Sequence, residues 1–187
     1  MKKAGELGFL GVGVPEEYGG LGMSFTSTML VCDYISGSSG STSTAFGAHT
    51  GIGTMPILLY GNEEQKNKYV PKLASGEHFG AYCLTEPGAG SDANSGKTKA
   101  VLSKDKSHYL ISGQKIWISN AGFADILTVF AKIEDDKNLT AFIVPNDPNN
   151  GISMGNEEEK LGLNSSSTRQ VFFLSLIHIS EPTRPVM

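Results

Sequence analysis

Two short segments carry residue types that could do chemistry. The first, Tyr82 to Ala93 (YCLTEPGAGSDA), runs from an apolar stretch into a Pro/Gly turn, with the Thr85 and Ser91 hydroxyls on either side of Gly88 and Gly90. A turn of this kind exposes several backbone N–H groups. Such a surface donates hydrogen bonds to an anionic or carbonyl-rich ligand without carrying full charge. The plain alternative is a β-turn with Glu86 and Asp92 solvated. The second segment, KIWISNAG (Lys115 to Gly122), holds the single tryptophan of the chain. In an extended strand Trp117 and Ser119 share one face, while Ile116 and Ile118 share the other. A lone tryptophan usually packs in a core, yet a Trp beside a Ser hydroxyl can equally form the wall of an aromatic cofactor pocket.

Gly88, Gly90 and Ala93 also satisfy GxGxxA after a strand-like run, the pattern of a dinucleotide-binding turn. That turn needs a helix to begin inside it, so that the helix N-terminus meets the pyrophosphate. Here NSGKTKAVL reads as turn and then strand, and Asp105 stands too early for the expected ribose-binding carboxylate. The Rossmann reading is therefore disfavoured.

The elements that must position these segments differ in period between the two halves of the chain. From about Phe25 to Lys72 the pattern is helical. Thr28, Met29, Val31, Cys32 and Ile35 can form one apolar face until Gly37 and Gly40 weaken the helix. A better helix opens at Asn62, a good cap, with Glu63 and Glu64 in its first turn, Tyr69, Val70 and Leu73 on its buried side, and Gly76 to end it. From Phe79 the period becomes that of strands: FGAYCL, KAVLS, HYLIS, KIWIS, DILTVFAKI, TAFIVP and QVFF, bounded by turn residues that include Gly113. Strands recurring this closely without long helices between them indicate an antiparallel sheet, sandwich or barrel. The expected fold is α+β, a helical N-terminal portion over 1–77 followed by a middle antiparallel β domain over 78–173.

Composition excludes several functions. With 15 Lys+Arg against 19 Asp+Glu, the net charge is −4, and no basic cluster offers a nucleic-acid or anionic-membrane surface. The 2 cysteines form no CxxC pair, and the 4 histidines give no zinc spacing, so no metal site is expected. Glu6 and three glycines interrupt the apolar start, and Glu16 and Glu17 stand where a signal cleavage site belongs. No apolar run approaches the ~18 residues of a membrane span. A soluble, cytoplasmic protein is expected, or a mitochondrial-matrix one in a eukaryote.

Taken together, LTEPGAGSD, GQKIWISNAGFADILTVFAK, TAFIV and KLGLNSSSTRQVFF, preceded by GVPEEYGGLG and GNEEQKNKYVPKLASGE, resemble the acyl-CoA dehydrogenase family from about Lys3 to Phe173. The wording WISNAGFADILTVFAK is similar to the very-long-chain branch. The resemblance implies N-terminal helices, a middle β domain and a C-terminal four-helix bundle, with FAD between the β domain and the bundle. It implies α,β-dehydrogenation of a fatty acyl-CoA to a trans-2-enoyl-CoA in fatty-acid β-oxidation, with electrons passing to an electron-transfer flavoprotein, and a homo-oligomer when complete. On the matching positions, Tyr82, Leu84 and Thr85 would line the isoalloxazine. Gly90 and Ser91 would lie by the phosphates, Ser91 also by the acyl-CoA, and Trp117, Ile118 and Ser119 would flank the dimethylbenzene and N5 region. Neutral donors suit this task, because a reduced flavin gains negative charge near N1 and O2.

Both ends depart from the family. Helices expected before GVPEEYGG do not precede it, and LSLIHISEPTRPVM over 174–187 resembles translated adaptor sequence more than any family segment. The resemblance places the family's catalytic glutamate in the bundle, which is expected to lie outside these 187 residues. Glu86 matches a structural position, so no catalytic residue is assigned, and the chain alone is expected to be inactive. Two further readings stand beside this one: an acyl-CoA oxidase or flavin monooxygenase of the same fold, and a non-catalytic β-domain interaction module.

Overall fold

Local sequence explains the helices. The structure, a computed structural model, describes residues 1–174 and the backbone of 182–183. The expectation for the 174–187 tail thus falls, beyond Leu174, outside the described residues except for that pair. Five α-helices, α1 (Lys2–Glu6), α2 (Phe25–Ser38), α3 (Gly40–Gly47), α4 (Met55–Tyr60) and α5 (Glu63–Ser75), precede the sheet, with a π-helical stretch Ala48–Gly53 between α3 and α4. In α2, the Ser36 and Ser38 hydroxyls donate back to the Cys32 and Tyr34 carbonyls, a competition that weakens a helix. The break falls at Ser39, whose extended backbone lets its hydroxyl accept from Thr42 N–H and cap α3. Asn62 and Gln65 form a reciprocal capping box on α5, and Gly76 ends it in the left-handed conformation, φ 76°.

Among the described residues eight strands follow: β1 (Gly80–Cys83), β2 (Lys99–Leu102), β3 (Tyr109–Ser119), β4 (Ile126–Ile133), β5 (Thr140–Pro145), β6 (Ile152–Glu157), β7 (Thr168–Leu174) and β8 (Pro182–Thr183). Their order is β6-β7-β3-β2-β4-β5-β8, with β1 also paired to β4. The class is α+β as expected, but the sheet is mixed, since β1 and β2 both run parallel to β4. The cause is non-local. Asp125 accepts from Phe79 N–H, and the Asp125 and Ile126 N–H groups donate to the Phe79 carbonyl, so β4 starts in register beside β1. The three-residue turn Ala93–Ser95 stands where a Rossmann helix would begin.

The sheet folds over one core, in which Ala81, Leu127, Val129 and Phe142 meet Ile111, Ile118, Val171 and Phe173. Its other face receives the helices, with Ile57, Val70 and Leu73 against Ile126 and Ile143. Burying such side chains contributes about 1.5–3 kcal/mol each. Three contacts fix the helical part to the start of β1. His49, fully buried, accepts the Gly80 N–H at Nδ1 (3.0 Å) and donates from Nε2 to the Leu73 carbonyl (2.9 Å). Asn120 Nδ2 bridges the two parts, donating to the Ala45 carbonyl at 2.9 Å and to the Gly80 carbonyl at 3.4 Å. Gly53 and Gly80 approach so closely that a Cβ on either would lie 2.9–3.0 Å from the other's backbone. Among the described residues, no helix is long and apolar enough to cross a membrane.

Candidate functional site

Strands β1 and β2 lie end to end along one edge of β4, so the segment Leu84–Thr98 leaves that edge and returns to it. Glu86 shapes the segment. Its backbone exchanges two hydrogen bonds with Ala89 (3.0 and 3.1 Å), closing a turn over Pro87 and Gly88. Its side chain folds inward, where the carboxylate accepts from Lys97 N–H (2.6 Å), Thr98 N–H (3.1 Å) and Lys115 Nζ (2.7 Å). Lys115, also buried, donates in addition to the Leu84 carbonyl at 3.1 Å. Burial opposes ionisation of Glu86, but these donors outweigh it and hold its carboxyl below the ordinary range. The same burial lowers the Lys115 ammonium, an effect that Glu86 opposes. The buried Lys115 and Glu86 side chains thus form a salt bridge at 2.7 Å, and the Glu86 carboxylate directs its hydrogen bonds into the protein.

Next to this pair the β3 ladder breaks. Lys115 stands opposite Val171 and Ile118 opposite Arg169, so Ile116 and Trp117 together face the single residue Gln170. This is a β-bulge, and Trp117 takes the left-handed conformation at φ 57°. For a bulky residue that backbone costs roughly 1–3 kcal/mol. The expected alternation is corrected here: Ile116 and Ile118 do not share a face, because the extra residue puts Ile118 on the core side with Lys115. The Trp117 indole is turned outward and is 63% exposed, while Ile118 is 2% exposed.

The sequence-predicted residues fall into three groups. Thr85 and Trp117 are brought together, since the Thr85 carbonyl accepts the Ile116 N–H at 2.9 Å, and Leu84 is joined to them through Lys115. Ser119, half-buried, follows on the bulged strand opposite Thr168. Gly90 and Ser91 lie exposed beyond the turn; the N–H groups of Gly88, Gly90 and Ser91 donate to no described residue, and a Cβ on Gly88 or Gly90 would meet nothing within 4 Å. The side chains of Tyr82 and Ile118 point elsewhere. The Tyr82 ring packs 4.8 Å from Phe130 and, with Pro56, Ile57, Tyr60 and Thr128, lines an apolar cavity of about 180 Å³ under α4. Ile118 belongs to the core, leaving only its backbone to face a ligand. Cys83, beneath the loop, is fully buried, and burial pushes its thiol up to about 12.

Sequence reasoning missed the Glu86–Lys115 pair. The signal was a lysine in alternation with the core residue Ile111 on β3, where a charge must find a buried partner. What results is an exposed aromatic ring beside a turn rich in free N–H donors. Such a surface can receive a flat ligand bearing hydrogen-bond acceptors.

Comparisons with known proteins agree along nearly the whole chain. Residues 1–77 match the acyl-CoA dehydrogenase N-terminal domain, and residues 81–175 match the middle domain of the same family. A probable acyl-CoA dehydrogenase of Bacillus subtilis (strain 168) is 54% identical over 170 residues, which is 90% of this chain and 28% of that protein. The mitochondrial very long-chain specific acyl-CoA dehydrogenase of Rattus norvegicus is 44% identical over 176 residues, 90% of this chain and 27% of the relative. A crystal structure of an acyl-CoA dehydrogenase complexed with FAD, from Bacillus anthracis, superposes with a TM-score of 0.92 at 46% identity, covering 97% of this chain and 32% of that one. The chain thus spans about a third or less of the length of these relatives.

Proposed function

The chain belongs to the acyl-CoA dehydrogenase family, and from that premise we propose that it forms the flavin-side wall of an FAD-dependent enzyme that dehydrogenates a fatty acyl-CoA to the trans-2-enoyl-CoA. The observation that carries the reading is the Trp117 indole, held outward by a strained bulge and joined through the Ile116–Thr85 hydrogen bond to a turn with free N–H donors. A core tryptophan needs no such backbone. The free donors and exposed ring fit a flavin, which has both an aromatic face and acceptor oxygens. When bound, FAD supplies the hydride acceptor.

The chain's own residues do the rest. Thr85, with the neighbouring backbone of Tyr82 and Leu84, binds the pyrimidine edge and stabilises negative charge there through neutral donors, which costs no reorganisation. Trp117, Ile118 and Ser119 flank the opposite side, where the indole excludes water and the Ile118 contribution comes from its backbone. Gly90 and Ser91 sit by the phosphates, Ser91 also by the acyl-CoA. Residues 1–77 and 78–173 act as the helical and β units of this half-site, with electron-transfer flavoprotein as the electron acceptor.

Abstraction of the substrate α-proton needs a carboxylate across the acyl chain from this wall. Glu86 is committed to Lys115 and no other carboxylate is assigned this role, so residues 1–187 by themselves are expected not to turn over acyl-CoA. Flavin titration followed by gel filtration tests the reading. Trp117→Ala is expected to weaken FAD retention by roughly 1–3 kcal/mol through lost aromatic contact. Retention equal to the parent's would remove Trp117 from the site. Bleaching of bound flavin by a saturated acyl-CoA would show that a base within residues 1–187 suffices.

A further inference from the structure

Nothing in the packing of the indole itself fixes Trp117, since its ring is mostly solvent-exposed and its nitrogen bonds to no described residue. The order of this region must come from the backbone beneath it. Three consecutive loop residues are pinned there to two consecutive strand residues: Leu84 C=O and Glu86 carboxylate to Lys115 Nζ, and Thr85 C=O to Ile116 N–H. Trp117 is the next residue along the strand. Through Glu86 the same pair also takes the N–H groups of Lys97 and Thr98, where the loop rejoins the sheet.

We propose that Lys115, acting through Glu86, is the positioning residue of the flavin wall: it fixes Thr85 and Trp117 relative to one another while touching no ligand itself. The inference rests on the flavin reading above. A stabilising role alone is a poor account of the pair, because a buried ion pair is commonly no more stable than apolar residues of the same volume. What an apolar pair could not do is hold Leu84 C=O, Lys97 N–H and Thr98 N–H at one point. Groups that orient the side chains holding a metal typically alter its affinity by about tenfold or more when lost, and Lys115 and Glu86 stand in the same relation to a flavin.

Two variants of the full chain test this. Glu86→Gln with Lys115→Met removes both charges together, so that no lone buried charge is left to unfold the protein. Gly96→Ala is milder, because its Cβ would lie 3.0 Å from Glu86 Oε1 and would displace the carboxylate without deleting any group. Two readouts separate positioning from stability. Trp117 is the only tryptophan, so fluorescence anisotropy reports its motion directly and without flavin. FAD titration gives the affinity. Positioning predicts that both variants keep a cooperative melt, lose indole anisotropy and bind FAD about tenfold more weakly. Should the double variant fail to fold, Gly96→Ala decides the matter. Parent-like anisotropy together with parent-like FAD affinity in folded variants would overturn the proposal. A parent chain that binds no FAD would refute the flavin reading instead, and the anisotropy would still decide whether Lys115 holds Trp117.

Discussion

Acidification probes the clamp that sets where β1, and with it the candidate site, begins. His49 is fully buried, accepts the Gly80 N–H and donates to the Leu73 carbonyl, so the folded protein holds it neutral. Burial is the main cause that lowers its pKa from 6.5 to about 4, and the bond to Leu73 opposes the shift only in part. In the unfolded chain the imidazole returns to its ordinary value. Between those two values the unfolded state binds a proton that the folded state refuses, so this contribution is fully present above about pH 6.5 and is lost as the pH falls toward 4. A gap of about 2.5 units corresponds to about 3 kcal/mol. Urea unfolding at a series of pH values should show the parent losing about that much more stability than His49→Gln, which keeps a donor and an acceptor but does not titrate. His78, His108 and His178 are common to both proteins and cancel in the difference. Equal pH slopes for parent and variant would refute the assignment of His49 as a neutral clamp.

Trp117→Gly should separate stability from ligand binding: relief of the left-handed backbone raises unfolding stability by about 1 kcal/mol while flavin retention falls. Thermal melts and flavin-to-protein ratios check the two signs. Asn62→Ala removes the side-chain half of the α5 capping box and should lower stability by about 1 kcal/mol, whereas Asn62→Ser should retain most of it; denaturant midpoints distinguish the two.

The elements most legible in the sequence are those whose causes are local. Asn62, Gln65 and Gly76 specify α5 without reference to anything beyond it. The β-branched and aromatic runs likewise locate β1, β2, β4, β5 and β7. Gly113 misleads, because it looks like a boundary between HYLIS and KIWIS although β3 runs straight through it. A Cβ there would stand 2.5 Å from Thr98 Oγ1, so the glycine answers a tertiary contact with the incoming end of the loop. Strand β6 (ISMGNE) escapes for a related reason: Gly155, whose Cβ would press on Gln170 Cβ at 3.2 Å, and Asn156 dilute its pattern. The parallel pairings of β1 and β2 with β4 depend on where a long loop returns, which no local signal encodes.

The candidate site divides along the same line. Its donors and its aromatic ring are visible as residue types, but the side of the sheet on which the ring stands is not. Unbroken alternation from Ile111 through Lys115 would carry Trp117 onto the core face and leave Ile118 outside. The single extra residue of the bulge reverses that outcome: Ile118 enters the core beside Val171, and the indole goes to the surface, where a ligand can reach it. The reversal forgoes burial of a large apolar ring and adds backbone strain at Trp117, both of which favour relaxation to the plain strand. What opposes relaxation is the backbone immediately before the bulge. Lys115 is tied to Glu86 and Leu84, and Ile116 to Thr85, so sliding the strand by one residue would break these contacts and strand two buried charges. The glycine loop and the tryptophan strand therefore form one site because an ion pair beneath them makes the cheaper register inaccessible.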